Sequence, residues 1–161
     1  MIATPIAETQ DDVTFQLDTG IRFRVSLIDK TFVFGQNWTV AGKGYIRQSG
    51  QPKKYLHDLI ARRAGFAQSE ETDHRDLDRL NNRRDNLRPA SSSENKANVS
   101  LRSDNTSGFK GVSWWKDRNK WRADGMISKK QVHLGTFDTA EAASEAYSNW
   151  AEKTFGEFAR S

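Results

Sequence analysis

Thr72-Asp73-His74-Arg75-Asp76-Leu77-Asp78, then Asn82-Arg83-Arg84-Asp85-Asn86-Leu87-Arg88, then Asn95-Lys96-Ala97-Asn98 form the part of the chain on which its reading turns. From Thr72 to Ser100 the sequence is rich in Asp, Asn and Arg and poor in apolar residues. So polar a stretch is hard to explain as core. Ser91 and Glu94 make a capping box that predicts a helix from about Ser92 to Ser100. Asn95 then lies in that helix, with Asn98 three residues further on a similar face.

Upstream, Thr14–Leu17 and Ile21–Val25 alternate apolar and polar residues around the turn Asp18-Thr19-Gly20, which predicts short strands. A second turn is expected at Ala41-Gly42-Lys43-Gly44. Tyr55, Leu56, Leu59 and Ile60 share a stripe, so a helix is expected from Tyr55 to Ala64. Downstream, Ser103–Gly108 is a polar, turn-rich linker. Strand-like runs follow at Phe109–Trp115, Lys120–Ile127 and Gln131–Phe137. A last helix is expected from Thr139 to about Thr154, with Asp138 as N-cap, Glu141 completing a capping box and Gly156 ending it. Its apolar stripe is Ala143, Ala146, Tyr147, Trp150 and Ala151. The fold class is therefore α+β.

The 161 residues suffice for one ordinary domain or two very small ones. Cysteine is absent, which excludes disulfides and thiolate zinc sites. The start of the chain lacks a basic segment followed by an apolar run, so no signal peptide is expected. No apolar stretch is long enough to span a membrane, and a cytoplasmic location is expected. The net charge of +4 is unevenly spread. Residues 107–133 hold seven basic and two acidic side chains, whereas residues 1–50 are balanced. A basic face on the C-terminal module points to a polyanionic partner.

The joint spacing of Asp73-His74, Asn82–Arg88 and Asn95–Asn98 resembles the HNH endonucleases, especially their phage and homing-endonuclease branch. Lys54–Ile60 resembles the segment that precedes the motif. The resemblance implies two short strands and a helix around one metal, over about residues 70–100. It implies His74 as general base, and Asp73 and Asn95 as ligands of one divalent ion. Such a reaction needs a base that titrates near neutrality, an ion to neutralise developing charge and hard oxygen ligands to hold it. With two protein ligands, Mg²⁺ is the natural ion, with Mn²⁺ or Ni²⁺ as other fits. Asn86 matches the central Asn, which pins the loop and so orients the His. Arg83 and Arg84 are candidate phosphate contacts. His57 is read as structural. One departure stands out: the family's Asn-Gly turn after the His is replaced here by Arg75-Asp76-Leu77-Asp78, so the turn must be built differently.

Gly108–Trp114, Lys120–Ala123 and His133–Ala143 resemble the plant Apetala-two/ethylene-response-factor DNA-binding domain. Strand alternation sorts its faces. Val112, Trp114, Trp121, Ala123, Val132 and Leu134 should face the helix, with both Trp side chains in the core. Ser113, Trp115, Arg122, Asp124, Met126, Gln131 and His133 should face out, onto DNA by the resemblance. Ser113, Trp115, Met126 and Gln131 stand where the family carries base-reading Arg, so its GC-rich specificity is not implied. Lys110, Lys120 and Arg122 suit phosphates, and Trp115 and His133 suit apolar or stacking contact.

The expected organisation is an HNH domain at 1–102, a linker at 103–107 and the DNA-binding module at 108–161. The expected activity is metal-dependent nicking of double-stranded DNA by a monomer, in a bacterial or phage-infected cell. The alternative is an HNH protein that has lost catalysis and acts as a DNA-binding or regulatory factor.

Overall fold

In the computed structural model, which describes residues 2–67 and 70–160, the strands expected around Asp18–Gly20 form a hairpin. They are β2 (Asp12–Gln16) and β3 (Arg22–Ser26). Gly20 closes the turn at φ +84°, a left-handed conformation that costs glycine little. Phe15 and Phe23 face each other across the pair, with ring centroids 5.7 Å apart. A strand that alternation did not reveal, β1 (Thr4–Glu8), extends the sheet on the other side of β2.

A short helix, α1 (Lys30–Val33), follows. Then come the pair β4 (Trp38–Val40) and β5 (Ile46–Gln48) and helix α2 (Leu56–Arg63). The helix matches its sequence stripe, burying Leu56 and Ile60. With Val13, Phe15, Phe23, Val25, Val33, Trp38 and Leu87 these form the first core. Strand β6 (Glu71–His74) pairs antiparallel with β8 (Leu87–Ala90). Between them β7 (Asn81–Asn82) joins the N-terminal sheet as a parallel neighbour of β3. The polar stretch is thus fastened to an apolar sheet by its backbone.

The chain divides into two compact units, 1–90 and 91–161. The linker expected at 103–107 lies within the second. That unit starts with helix α3 (Ser92–Ala97), whose Ser91/Glu94 capping box forms as expected. It stops at Asn98, short of Ser100. Strands β9 (Val112–Trp115), β10 (Lys120–Ile127) and β11 (Lys130–Phe137) form an antiparallel sheet in the order β11-β10-β9. Helix α4 (Ala140–Phe155) packs on it chiefly through β10 and β11, burying Ala140, Ala143, Tyr147 and Ala151. Both units mix strands and helices, and the α+β class holds.

Two local expectations are corrected. The N-cap of α4 is Thr139, whose hydroxyl accepts from Ala142 N at 3.2 Å. Asp138 is engaged by Lys120 instead. Trp114 is not core: it is 44% exposed, edge-on to Trp121. It lies on the edge strand, where the helix gives little cover. A register shift after Ala123 leaves Leu134 as an extra residue in β11, yet Leu134 still joins the core with Val112 and Ala123.

Two substitutions test this packing. Asp29 is fully buried; Arg84 binds it at 2.7 and 2.8 Å and Arg63 at 3.2 Å. Asp29→Ala removes the shared partner of two partly exposed guanidiniums, and urea unfolding should register a loss of about 1–3 kcal/mol. An unchanged midpoint would show that the cluster is dispensable. Gly111 sits at φ +71°, and a Cβ there would lie 2.0 Å from the Tyr147 ring. Gly111→Ala should lower the melting temperature of the second unit, at about 2 kcal/mol or more.

Candidate functional site

Strand β6 ends on Asp73 and His74, both buried, at 4% and 5% exposure. Asp73 lies opposite Arg88 in the β6–β8 register, and Arg88 Nε donates to its Oδ2 at 2.8 Å. The pair is closed to solvent, so the direction of the carboxylate is fixed.

The His74 ring packs among other rings. Its centroid is 5.1 Å from His57 and 6.1 Å from Tyr45, and Tyr55 lies 5.5 Å beyond His57. On the other side, His74 Nε2 is 3.3 Å from Asn82 Oδ1. Asn82 is fully buried, and its Nδ2 donates to Arg79 O at 3.3 Å. This second bond turns the amide oxygen toward the imidazole, so Nε2 donates and Nδ1 carries the lone pair. Burial lowers the His74 pKa below the usual imidazole range, against the opposing pull of Asn82 and of Asp76, Asp73 and Asp78. The ring is therefore neutral near pH 7.

The turn at Arg75–Asp78 is well made. Leu77 takes the left-handed position at φ +67°. Asp76 Oδ1 accepts from Asp78 N at 2.8 Å, and Asp78 Oδ1 from Leu80 N at 3.0 Å, so the extra acids serve as turn formers. Asn86 clamps the loop. Its Nδ2 donates to Asp76 Oδ1 at 2.9 Å and to Asn81 O at 2.8 Å, and its Oδ1 accepts from Asp76 N at 3.2 Å. Burial alone would raise the Asp76 pKa, but the amides of Asn81 and Asn86 hold it below the ordinary carboxylate value.

The structure thus groups Asp73 and His74 on β6 with Asn86 just before β8. Asn95, half-buried on α3, belongs to the second unit. Among the described residues no group of three or more His, Asp or Glu side chains forms a metal cage. Arg83 pairs with Asp85 at 2.6 Å and Asp12 at 3.4 Å, and Arg84 is given over to Asp29. The sequence reading missed Asn82 and the role of Tyr45. A doublet of Asn on a two-residue strand carries no periodic signal, and neither does a tyrosine after a turn.

In the second unit, Ser113, Trp115, Lys120, Arg122, Gln131 and His133 share the sheet face away from α4. Arg122 lies 2.6 Å from Asp124 Oδ2, and His133 Nδ1 lies 3.0 Å from its Oδ1. Arg118 covers the Trp115 ring at 4.6 Å. Lys110 is set apart from this face. Its Nζ donates to Ala97 O and to Val99 O, binding the end of α3, and burial lowers its pKa.

The ring cluster makes the first unit sensitive to acid. Burial pushes His57 down to about 4, with His74 adding to the effect and Asp58 opposing it. The folded state then binds fewer protons than the unfolded one as pH falls through 6.5. Stability is complete above that value and is lost toward about 4. In EDTA, urea titrations at about pH 7.5 and about pH 5 should differ by about 2 kcal/mol from His57 alone. His57→Phe keeps the ring packing and should flatten that difference. An unaltered slope would place the acid sensitivity elsewhere.

The chain is 33% identical to Protein 3.8 of Escherichia phage T7 over 118 residues, which cover 73% of this chain and 97% of that protein. It is also 29% identical over 166 residues to a protein of Acanthamoeba polyphaga mimivirus named Uncharacterized HNH endonuclease L560, covering 94% of this chain and 86% of that one. No family model matches the chain, and no solved structure matches it. No helix among the described residues is long and apolar enough to cross a membrane. By the identity and coverage it shares with the T7 protein, this chain belongs to the family of phage T7 Protein 3.8.

Proposed function

We propose that the chain is a divalent-metal-dependent endonuclease that nicks double-stranded DNA, with residues 1–102 as the nuclease part and the module at 108–161 holding the DNA. The observation that carries this reading is the buried His74 beside Asp73, held at 3.3 Å by the fully buried Asn82. Similarity to a viral protein named as an HNH endonuclease supports it.

Each group has a distinct task. His74 Nδ1 takes the proton of the attacking water, while Nε2–H stays on Asn82 and prevents the ring from turning. Asn86 holds the loop behind it. By the resemblance to HNH endonucleases, Asp73 and Asn95 would be the protein oxygen donors for one ion. A carboxylate and an amide oxygen are hard donors, and so short a set suits an ion that keeps several waters, with Mg²⁺ first and Mn²⁺ or Ni²⁺ next. When bound, that ion would neutralise charge on the phosphoryl group and the leaving 3′-oxygen. One such site in a monomer cuts one strand, leaving 5′-phosphate and 3′-hydroxyl ends.

One observation favours the second reading, a DNA-binding protein without catalysis. Asp73 is held by Arg88 in a pair 4% exposed on each side, so the ion must share that carboxylate with a guanidinium.

A supercoiled plasmid distinguishes the two. With Mg²⁺ the full chain should convert it to open circles, and EDTA should stop the reaction. His74→Ala should slow nicking by about 10²–10⁴-fold, and Asn82→Ala by about 10–100-fold. Binding without EDTA-sensitive nicking under Mg²⁺, Mn²⁺ or Ni²⁺ would establish the second reading.

A further inference from the structure

The outward face of the β10–β11 hairpin presents three cross-strand pairs in order: Arg122 with Thr136, Asp124 with His133, and Met126 with Gln131. Ser128 and Lys129 close the hairpin at φ +48° and +65°. Such a ribbon fits the major groove of B-DNA.

In the first two pairs Arg122 and His133 are both drawn to the one carboxylate of Asp124. Arg122 would be the natural reader of guanine. Its guanidinium lies 2.6 Å from Asp124 and 5.6 Å from the Trp115 ring centroid. The second Asp124 oxygen faces His133 at 3.0 Å. The third pair is different. Met126 is 61% exposed, and Gln131 is exposed beside it. Among the described residues neither side chain has a hydrogen bond or ion pair. A glutamine amide matches the N7 acceptor and N6 donor of adenine, and an apolar side chain packs on the thymine methyl. Lys129 and Lys130 at the tip and Lys116 and Arg118 at the other end supply cations for flanking phosphates.

We infer that the Met126–Gln131 pair is the base reader of this chain and selects an A·T pair, with Gln131 on the adenine edge and Met126 on the thymine methyl. This rests on the reading of the second unit as a binder of duplex DNA. The Asp124 carboxylate competes with guanine for the Arg122 guanidinium, which shifts the choice of base to the third pair.

The test uses the full chain in EDTA, so that no strand is cut. Duplexes selected from a randomised pool should share an A·T pair at a fixed position. Fluorescence anisotropy should show about tenfold weaker binding when that pair becomes G·C. Replacing the adenine with 7-deazaadenine should remove the part due to Gln131, and replacing the thymine with uracil the part due to Met126. Gln131→Ala and Met126→Ala, both exposed, should each abolish sensitivity to their own atom while keeping sensitivity to the other. Salt-dependent binding with no A·T preference, or a preference that both substitutions leave intact, overturns the inference and leaves DNA binding standing. Failure to bind any duplex overturns the inference together with the reading beneath it.

Discussion

Three buried asparagines carry the first unit's site. Asn81, Asn82 and Asn86 lie where a hydrophobic core would normally continue, and their amides replace it with hydrogen bonds. Asn86 fixes the loop through Asp76 and the Asn81 carbonyl; Asn82 meets His74. Such a network is strong only when nearly complete, because each unpaired buried polar atom costs about 1–3 kcal/mol. Its anchorage is the apolar sheet. Arg24 N donates to Leu80 O at 2.8 Å, Arg84 N donates to Ser26 Oγ at 2.9 Å, and the Arg84 guanidinium reaches Asp29. The polar segment therefore borrows its rigidity from β3 and from the residues that follow it.

Much of this was legible in the sequence wherever one local rule decided the outcome. The Ser91/Glu94 box, the Gly20 turn, strand β10 and the stripes of α2 and α4 each follow from spacing alone, and each appears within a residue or two. What escaped depended on partners far along the chain. Strand β1 exists because β2 offers an open edge, and its own residues are mostly exposed. Thr139 caps α4 because Lys120, 18 residues away, engages Asp138. Trp114 has core chemistry but an edge position, and only sheet order separates those two cases.

Charge was the least transparent signal for the same reason. Arg84, Lys110 and Arg122 all read as free cations for phosphate. In the folded chain they serve a core carboxylate, a helix end and a facing aspartate. A run of basic residues reports potential in the aggregate, which survives such pairing, whereas the duty of any single residue does not. The net positive segment at 107–133 thus remains an argument about partners even where its individual members are engaged.

The irregularities of the first unit are themselves placed with some consistency. Among its described residues, two non-glycines take positive φ, Lys43 and Leu77. Leu77 N donates to the carbonyl of His74 at 3.1 Å. Lys43 O is held by Arg79 Nη1 at 2.7 Å, and that guanidinium covers Tyr45, a neighbour of the His74 ring. Among the described residues of this unit, the buried side-chain atoms without partners are His57 Nδ1, against the same ring, and Asn81 Oδ1, on the strand that carries Asn82. Two strained backbones and two unsatisfied polar atoms would each be removed easily by a glycine or an apolar residue if stability alone governed the segment. They persist around one imidazole, whose burial already opposes its protonation. A hairpin built only to complete the sheet has no use for that arrangement. A hairpin that holds one buried imidazole in a single orientation does.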